Sequence, residues 1–227
     1  MQTKLTLKIV AGIAAVAILV TSSIAIAGRT RSSQSISLKS LSKQCRNSID
    51  SDGFGHAKLG GVNFHDETAQ IFIPCKVEIE DGSTVQFNNV NLTTSNLLIV
   101  SKEGAKGAAH VVFNRSQLQS SVGGLQIQLK PPRSSVTVSE SSFKYPLSVV
   151  MTTGGGDDDT EARINISNSR YISNSKESEG LILSTTGKAV FQENVFETSG
   201  VDDYAILVGR ECQSINNIQA ITDCQDN

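Results

Sequence analysis

The sequence predicts an all-β solenoid, a chain coiled into stacked rungs of short strands around one apolar core. Three observations predict it. First, two apolar residues two apart are followed, five positions after the second, by a third. The unit reads Val62-x-Phe64…Ala69, Val85-x-Phe87…Leu92 and Val111-x-Phe113…Leu118, then Val136-x-Val138…Phe143, Ile164-x-Ile166…Tyr171 and Ala189-x-Phe191…Phe196. Second, its second member advances by 23, 26, 25, 28 and 25 residues. A repeat of that length buries its apolar face only against the next repeat. Third, Ser, Thr, Asn and Gly fill the gaps between columns, charged residues are 19% and tryptophan is absent. That is a strand-and-turn composition, not a helical one. Six of the 8 phenylalanines lie in the repeat columns.

Residues 1–28 stand apart. Lys4 and Lys8 precede an uncharged run from Ile9 to Gly28, expected to form an N-terminal hydrophobic helix that serves as a signal peptide or membrane anchor. Ala25-Ile26-Ala27 offers a small-x-small cleavage site. Yet the run is long enough to cross a ~30 Å hydrocarbon core, for which ~20 helical residues suffice, so both fates stay open. Either places the body outside the cytoplasm, secreted or anchored at the cell surface.

Residues 29–57 are expected to form a polar linker and an N-terminal cap. Leu38, Leu41, Cys45 and Ile49 share one face at helical spacing, and a short amphipathic helix would cover the open end of the coil.

Residues 58–210 are the predicted parallel β-helix of about six rungs. Each apolar-x-apolar pair is a short strand, the polar tetrads HDET, NNVN, NRSQ, SESS, SNSR and QENV are turns, and the third apolar residue opens the next strand. Register then stacks Phe64, Phe87, Phe113, Val138, Ile166 and Phe191 in one inner column, with Asn63, Gln86, Val112, Thr137, Asn165 and Val190 facing out beside it. A further strand is marked by Leu125-x-Ile127, Leu181-x-Leu183 and Ile206-x-Val208, leaving Gln126, Ile182 and Leu207 outward. The stretch TTGGGDDDTEA projects as a loop. Residues 211–227 read as a C-terminal cap, either a partial rung or a short helix.

Cys45 and Cys75 flank the first repeat, and Cys212 and Cys224 follow the last. Outside a reducing cytosol this even count implies two disulfides, with three pairings open; the local pairing would staple both ends. Zinc would want closer cysteine or histidine spacing than the chain offers.

INISNSRYISNSKESEGLILS and KAVFQENVFETSGVDDYAILV resemble the degenerate rung of the right-handed parallel β-helix, or pectin-lyase-like, superfamily. The resemblance covers roughly residues 58–210 and implies a right-handed coil. It fits polysaccharide lyases and hydrolases as well as surface modules without chemistry. An antiparallel β-sandwich is the runner-up fold, but Asp81-Gly82 is its one hairpin-like signal.

Candidate chemistry is sparse. An enzyme on this scaffold would line up carboxylates from neighbouring rungs, and the outward columns hold none. Asp157, Asp158 and Asp159 sit in the projecting loop and, with Glu161, are a candidate Ca²⁺ site, although consecutive carboxylates diverge. Asp202 and Asp203 are a second acidic pair that could join a binding site. No other cofactor is implied. His65 beside Asp66 reads as a solvated turn histidine, and Arg115 and Glu140 as an ion pair between rungs. Tyr145 and Tyr204 are the candidate sugar platforms. The formal charge is −2, from 20 basic and 22 acidic residues, and nothing in it draws the chain to nucleic acid. The expected function is a non-catalytic structural or glycan-binding module meeting an extracellular or cell-surface polysaccharide. The competing expectation is a small polysaccharide lyase or glycoside hydrolase.

Overall fold

The computed structural model describes residues 36–120, 122–147, 149–154, 161–173, 181–198, 205–209, 211–217 and 222–226. The chain is a parallel β-solenoid with one short helix. As far as Glu211–Ile215 successive strands go in turn to three sheets, so every third strand is a hydrogen-bonded neighbour, and every pairing between the named strands is parallel.

Among the described residues the first sheet has eight strands, from Gly55–Leu59 through Cys75–Ile79 and Leu97–Ser101 to Thr222–Asp226. The second has seven, from Val62–His65 to Glu211–Ile215, and the third has six, from Thr68–Ile71 to Val195–Thr198. Five turns of chain separate the first and last strands of the third sheet.

The predicted unit maps onto two of the three sheets. The apolar-x-apolar pairs are second-sheet strands, and Phe64, Phe87, Phe113, Val138, Ile166 and Phe191 pair in one unbroken register. The third apolar position opens the third sheet, where Ala69, Leu92, Leu118, Phe143, Tyr171 and Phe196 pair likewise. Alternation turns both sets inward, where the rings meet: Phe87 stacks on Phe113 at 4.8 Å, and Phe143 meets Phe113 edge-on at 5.5 Å.

The first sheet differs from expectation in one register. Ala205 pairs with Leu181 and Leu207 with Leu183, so Ile206 aligns with the outward Ile182. Leu207, read from sequence as outward, falls in the register of the inner column. A continuous apolar run such as Ala205–Val208 fits either register, and one residue of slip exchanges the two faces.

The corner that ends each second-sheet strand is built the same way seven times. Asp66, Asn89, Arg115, Glu140, Asn168, Glu193 and Asn216 all have positive φ, between 48° and 55°. The left-handed conformation costs an L-residue roughly 1–2 kcal/mol, and what holds it is the residue that follows. Val90 N–H donates to Ser116 Oγ at 3.1 Å, Ser116 N–H to Ser141 Oγ at 3.1 Å and Ser141 N–H to Ser169 Oγ at 3.1 Å. Ser169 N–H donates to Asn194 Oδ1 at 2.9 Å, and Asn194 N–H to Asn217 Oδ1 at 2.9 Å. This polar ladder gives five of the seven corners, at Val90, Ser116, Ser141, Ser169 and Asn194, a side-chain partner for the amide one rung ahead.

The helix Leu38–Asn47 closes the first turn. Ser37 is its N-cap, accepting from Ser40 N–H at 3.2 Å, and Leu38, Leu41 and Cys45 are buried against the core. Glu67, in the ladder column of the first corner, instead accepts from Leu38 N–H at 2.7 Å. A carboxylate there satisfies an unpaired amide and faces the positive end of the helix dipole. Ile49 does not belong to the buried face. The helix has ended by Ser48, and Ile49 is 55% exposed, bridging Gly55 through its backbone.

Cys45 is bonded to Cys75, closing a loop of 30 residues. Loop-closure entropy makes a cross-link of that span worth about 3–4 kcal/mol. Gly55 lies so close beneath the helix that a Cβ would fall 2.1 Å from the Cys45 carbonyl oxygen. Cys212 is also disulfide-bonded. The expected hydrophobic helix of residues 1–28 lies outside the described residues. Among those described, no helix is long and apolar enough to cross a membrane.

Candidate functional site

A filled solenoid leaves its outer faces and corners for chemistry. On the second sheet the outward positions form three columns. One runs His65, Asn88, Asn114, Ser139, Ser167, Gln192, and the middle one Asn63, Gln86, Val112, Thr137, Asn165, Val190, as the spacing predicts. The amides are engaged with one another. Asn88 Nδ2 donates to Asn63 Oδ1 at 2.6 Å, Asn114 Nδ2 to Asn88 Oδ1 at 3.4 Å, and Ser139 Oγ to Asn114 Oδ1 at 3.1 Å.

The third column of this face runs Thr84, His110, Ser135, Arg163, Lys188, Glu211. His110 Nδ1 lies 2.8 Å from Ser135 Oγ, and burial holds its imidazole below its usual pKa. Lys188 Nζ is 3.6 Å from Glu211. Elsewhere Lys58 and Glu78 pair at 3.6 Å across neighbouring strands of the first sheet, and Arg170 pairs with Glu197 on the third. Each strand-face carboxylate whose side chain is described therefore meets a cation one rung away.

Asp157, Asp158, Asp159, Asp202 and Asp203, the acidic candidates, lie outside the described residues. Glu161, expected near the first three, pairs with Arg133. Among the described residues no three His, Cys, Asp or Glu side chains are placed to hold a metal. His65 Nδ1 lies 2.6 Å from Asp66 in an exposed corner. Arg115 and Glu140 occupy successive corners but form no ion pair with each other. Left-handed corner residues point out into solvent, where such pairing gains little.

Tyr145 is no sugar platform. It is fully buried, its hydroxyl 3.5 Å from Thr94 Oγ1, and burial pushes the phenol well above its usual pKa. Sequence reading missed this because Tyr145 follows a three-residue strand and continues its inward alternation. Tyr204 lies outside the described residues.

Asp50 and His56 form a dyad that the sequence did not single out. His56 Nε2 is 2.6 Å from Asp50 Oδ2, while Asp50 Oδ1 accepts from Asp52 N–H at 3.0 Å and Phe54 N–H at 2.9 Å. The His56 hydrogen bond, with those amides, holds the Asp50 carboxyl below its usual pKa. Its partners are local backbone and one imidazole, and the loop it closes leads from the helix to the first strand.

Compared with family models, curated proteins and solved structures, the chain matches none.

Proposed function

We propose that this chain is an exported, surface-displayed β-solenoid, a right-handed coil of the pectin-lyase-like kind, serving as a non-catalytic structural or glycan-binding rod. The observation that carries this reading is the state of its outward polar groups. Asn63, Asn88 and Asn114 bond one another along the rod, and the strand-face carboxylates Glu78, Glu197 and Glu211 pair with cations, so these faces stiffen the coil and offer an even polar surface. A catalytic carboxylate pair needs two acids facing each other at a set separation, whereas Glu78, Glu197 and Glu211 each face a cation.

Two considerations bear on export. Cations following an apolar run favour keeping that flank in the cytoplasm, and Arg29, Arg31, Lys39, Lys43 and Arg46 follow this one. Disulfides weigh the other way, because a reducing cytosol keeps thiols reduced. Cys45–Cys75 is buried at the cap, and Cys212 is bonded too. We give the disulfides precedence, since they belong to the folded body.

Affinity electrophoresis of the purified chain through gels carrying neutral or acidic polysaccharides tests the reading, with product absorbance followed in the same samples. Retardation by a glycan without new unsaturated or reducing ends supports a binding rod. Turnover of any polysaccharide refutes it in favour of a lyase or hydrolase. Thiol labelling of intact cells that modifies all four cysteines only after lysis and without reductant would refute export.

A further inference from the structure

The charges of this chain are unevenly shared. All 22 acidic residues lie from Asp50 onward, while the segment from Arg29 to Ile49 contains Arg29, Arg31, Lys39, Lys43 and Arg46 and no acid. The fold gathers three of these on one surface. Leu38, Leu41, Ser42 and Cys45 take the inner side of the capping helix, so Lys39, Lys43 and Arg46 are left exposed on its outer side. None of the three forms an ion pair with a described residue; Arg46 donates only to Ser42 Oγ, at 3.1 Å. The nearest carboxylates in sequence open the next loop, and Asp50 is occupied by His56 and two amides.

Two large apolar side chains lie at the same end. Ile49 follows the helix and is 55% exposed, and Phe72 is 71% exposed at the corner after the first strand of the third sheet. The helix crosses that edge strand, with Ser42 Oγ donating to Gln70 O at 3.0 Å. Exposed cations and exposed apolar side chains at one end of the coil are the composition of an interface with an anionic bilayer, where headgroups take the charge and the acyl boundary takes the apolar side chains. A soluble polyanion would use the cations but leave Phe72 without a role. The chain before the cap reinforces this choice. Seven residues separate Gly28, the end of the apolar run, from Ile36, and a link of that length reaches at most about 29 Å.

We propose that the capped end of the solenoid is a lipid-facing foot. Lys39, Lys43 and Arg46 rest on anionic headgroups while Phe72 and Ile49 enter the interface, so the rod stands on the membrane and points its other end away. The inference shares with the export reading the placement of residues 9–28 at a membrane, but the foot is a property of the folded body.

The absence of tryptophan makes the test direct. Phe72→Trp, in the full chain reconstituted with phosphatidylcholine vesicles containing phosphatidylglycerol, gives a single indole emitter at the foot. Val122→Trp, at a site 69% exposed on a later turn of the same kind of corner, gives one farther along the rod. The expected result is that emission from the Phe72→Trp variant shifts to the blue and is quenched by brominated lipid, whereas the Val122→Trp variant is quenched only by an aqueous quencher. Lys39→Gln, Lys43→Gln and Arg46→Gln together should weaken seating on the order of a hundredfold, since each basic residue near an anionic surface strengthens adsorption severalfold, and so abolish the lipid quenching. All three are exposed, and retention of the β circular-dichroism signal confirms the fold.

An indole at position 72 that stays water-exposed on vesicles holding the chain overturns the foot while leaving the anchor intact. Equal lipid quenching of the two single-indole variants overturns it in favour of a rod lying flat. A blue shift produced by dextran sulfate but not by vesicles assigns the surface to a soluble polyanion and overturns the lipid. Alkaline carbonate extraction separately reports whether residues 9–28 anchor the chain. Failure there refutes anchoring, and the same emission measurement then reads the foot as a peripheral contact.

Discussion

The buried polar ladder should be the most sensitive feature of this fold outside its aromatic core. Ser141 is its middle member: its Oγ accepts from Ser116 N–H at 3.1 Å and donates to Ser139 O at 2.7 Å. Ser141→Ala removes one oxygen and leaves the Ser116 amide buried without a partner, which costs about 1–3 kcal/mol. For a chain of 227 residues that lowers the melting temperature by roughly 2–12 °C, at about 2–4 °C per kcal/mol. Ser141→Asn makes the control, because Asn194 occupies the same position two turns on and accepts from Ser169 N–H through Oδ1 at 2.9 Å. Thermal and urea melts followed by circular dichroism would show Ala destabilised and Asn near wild type. If Ala is neutral while Asn is the one destabilised, the ladder is a by-product of corner geometry and not its support.

Three further outcomes follow from the same structure. Phe113→Ala, which empties a fully buried site between Phe87 and Phe143, should cost about 3–5 kcal/mol in a urea melt; a loss below about 1 kcal/mol would mean that the column collapses to fill the space. His110 should make stability fall with acid. Its folded pKa lies below the ordinary 6.5, so the unfolded chain takes up the proton first: its stabilising contribution is whole above about pH 6.5 and fades below, until His110 protonates in the fold too. His110→Asn should flatten that part of the pH–melting curve, with His56 and His65 unchanged as internal controls, and an unflattened curve would exclude His110 as its source. Reduction of the buried Cys45–Cys75 bond should release the cap first, read as faster proteolysis in the loop after the helix before the rest of the coil is cut; simultaneous loss of the whole chain would show that cap and coil unfold together.

The sequence made the second and third sheets legible because their inner columns alternate strictly and are separated by polar corners. The first sheet was half legible. Leu125-x-Ile127 and Leu181-x-Leu183 stood out, but Gly55–Leu59 carries Ala57 and Lys58 and lacks a strong period. The run at Ala205–Val208 is apolar at every position, so alternation could not choose its register. Ile49 misled for another reason: helical spacing says where a side chain would point if the helix continued, not where it stops. Tyr145 looked like a surface ring only because its strand is three residues long. The acidic candidates of the projecting loop and of Asp202–Asp203 lie outside the described residues. The basic outer side of the cap is legible in the sequence as a segment without acids, but the formal charge of the whole chain, −2, averages it away.

The corner residues show how far identity matters once the ladder is in place. Arg115, Glu140 and Glu193 hold the same left-handed conformation as Asn89 and Asn168, although Asn enters that region far more readily than Arg or Glu. The corner is therefore imposed by the two strands and the ladder amide, and its outermost residue adapts at a cost. Glu140, exposed and without an ion-pair partner among the described residues, is the clean place to measure that cost. Glu140→Asn should be neutral or stabilising by up to about 1 kcal/mol, whereas Glu140→Val should be destabilising by about 1–3 kcal/mol, because a β-branched side chain fits positive φ worst. Urea midpoints read the difference directly. If Val and Asn have equal midpoints, the corner relaxes freely out of the left-handed region, and the ladder cannot be what fixes it.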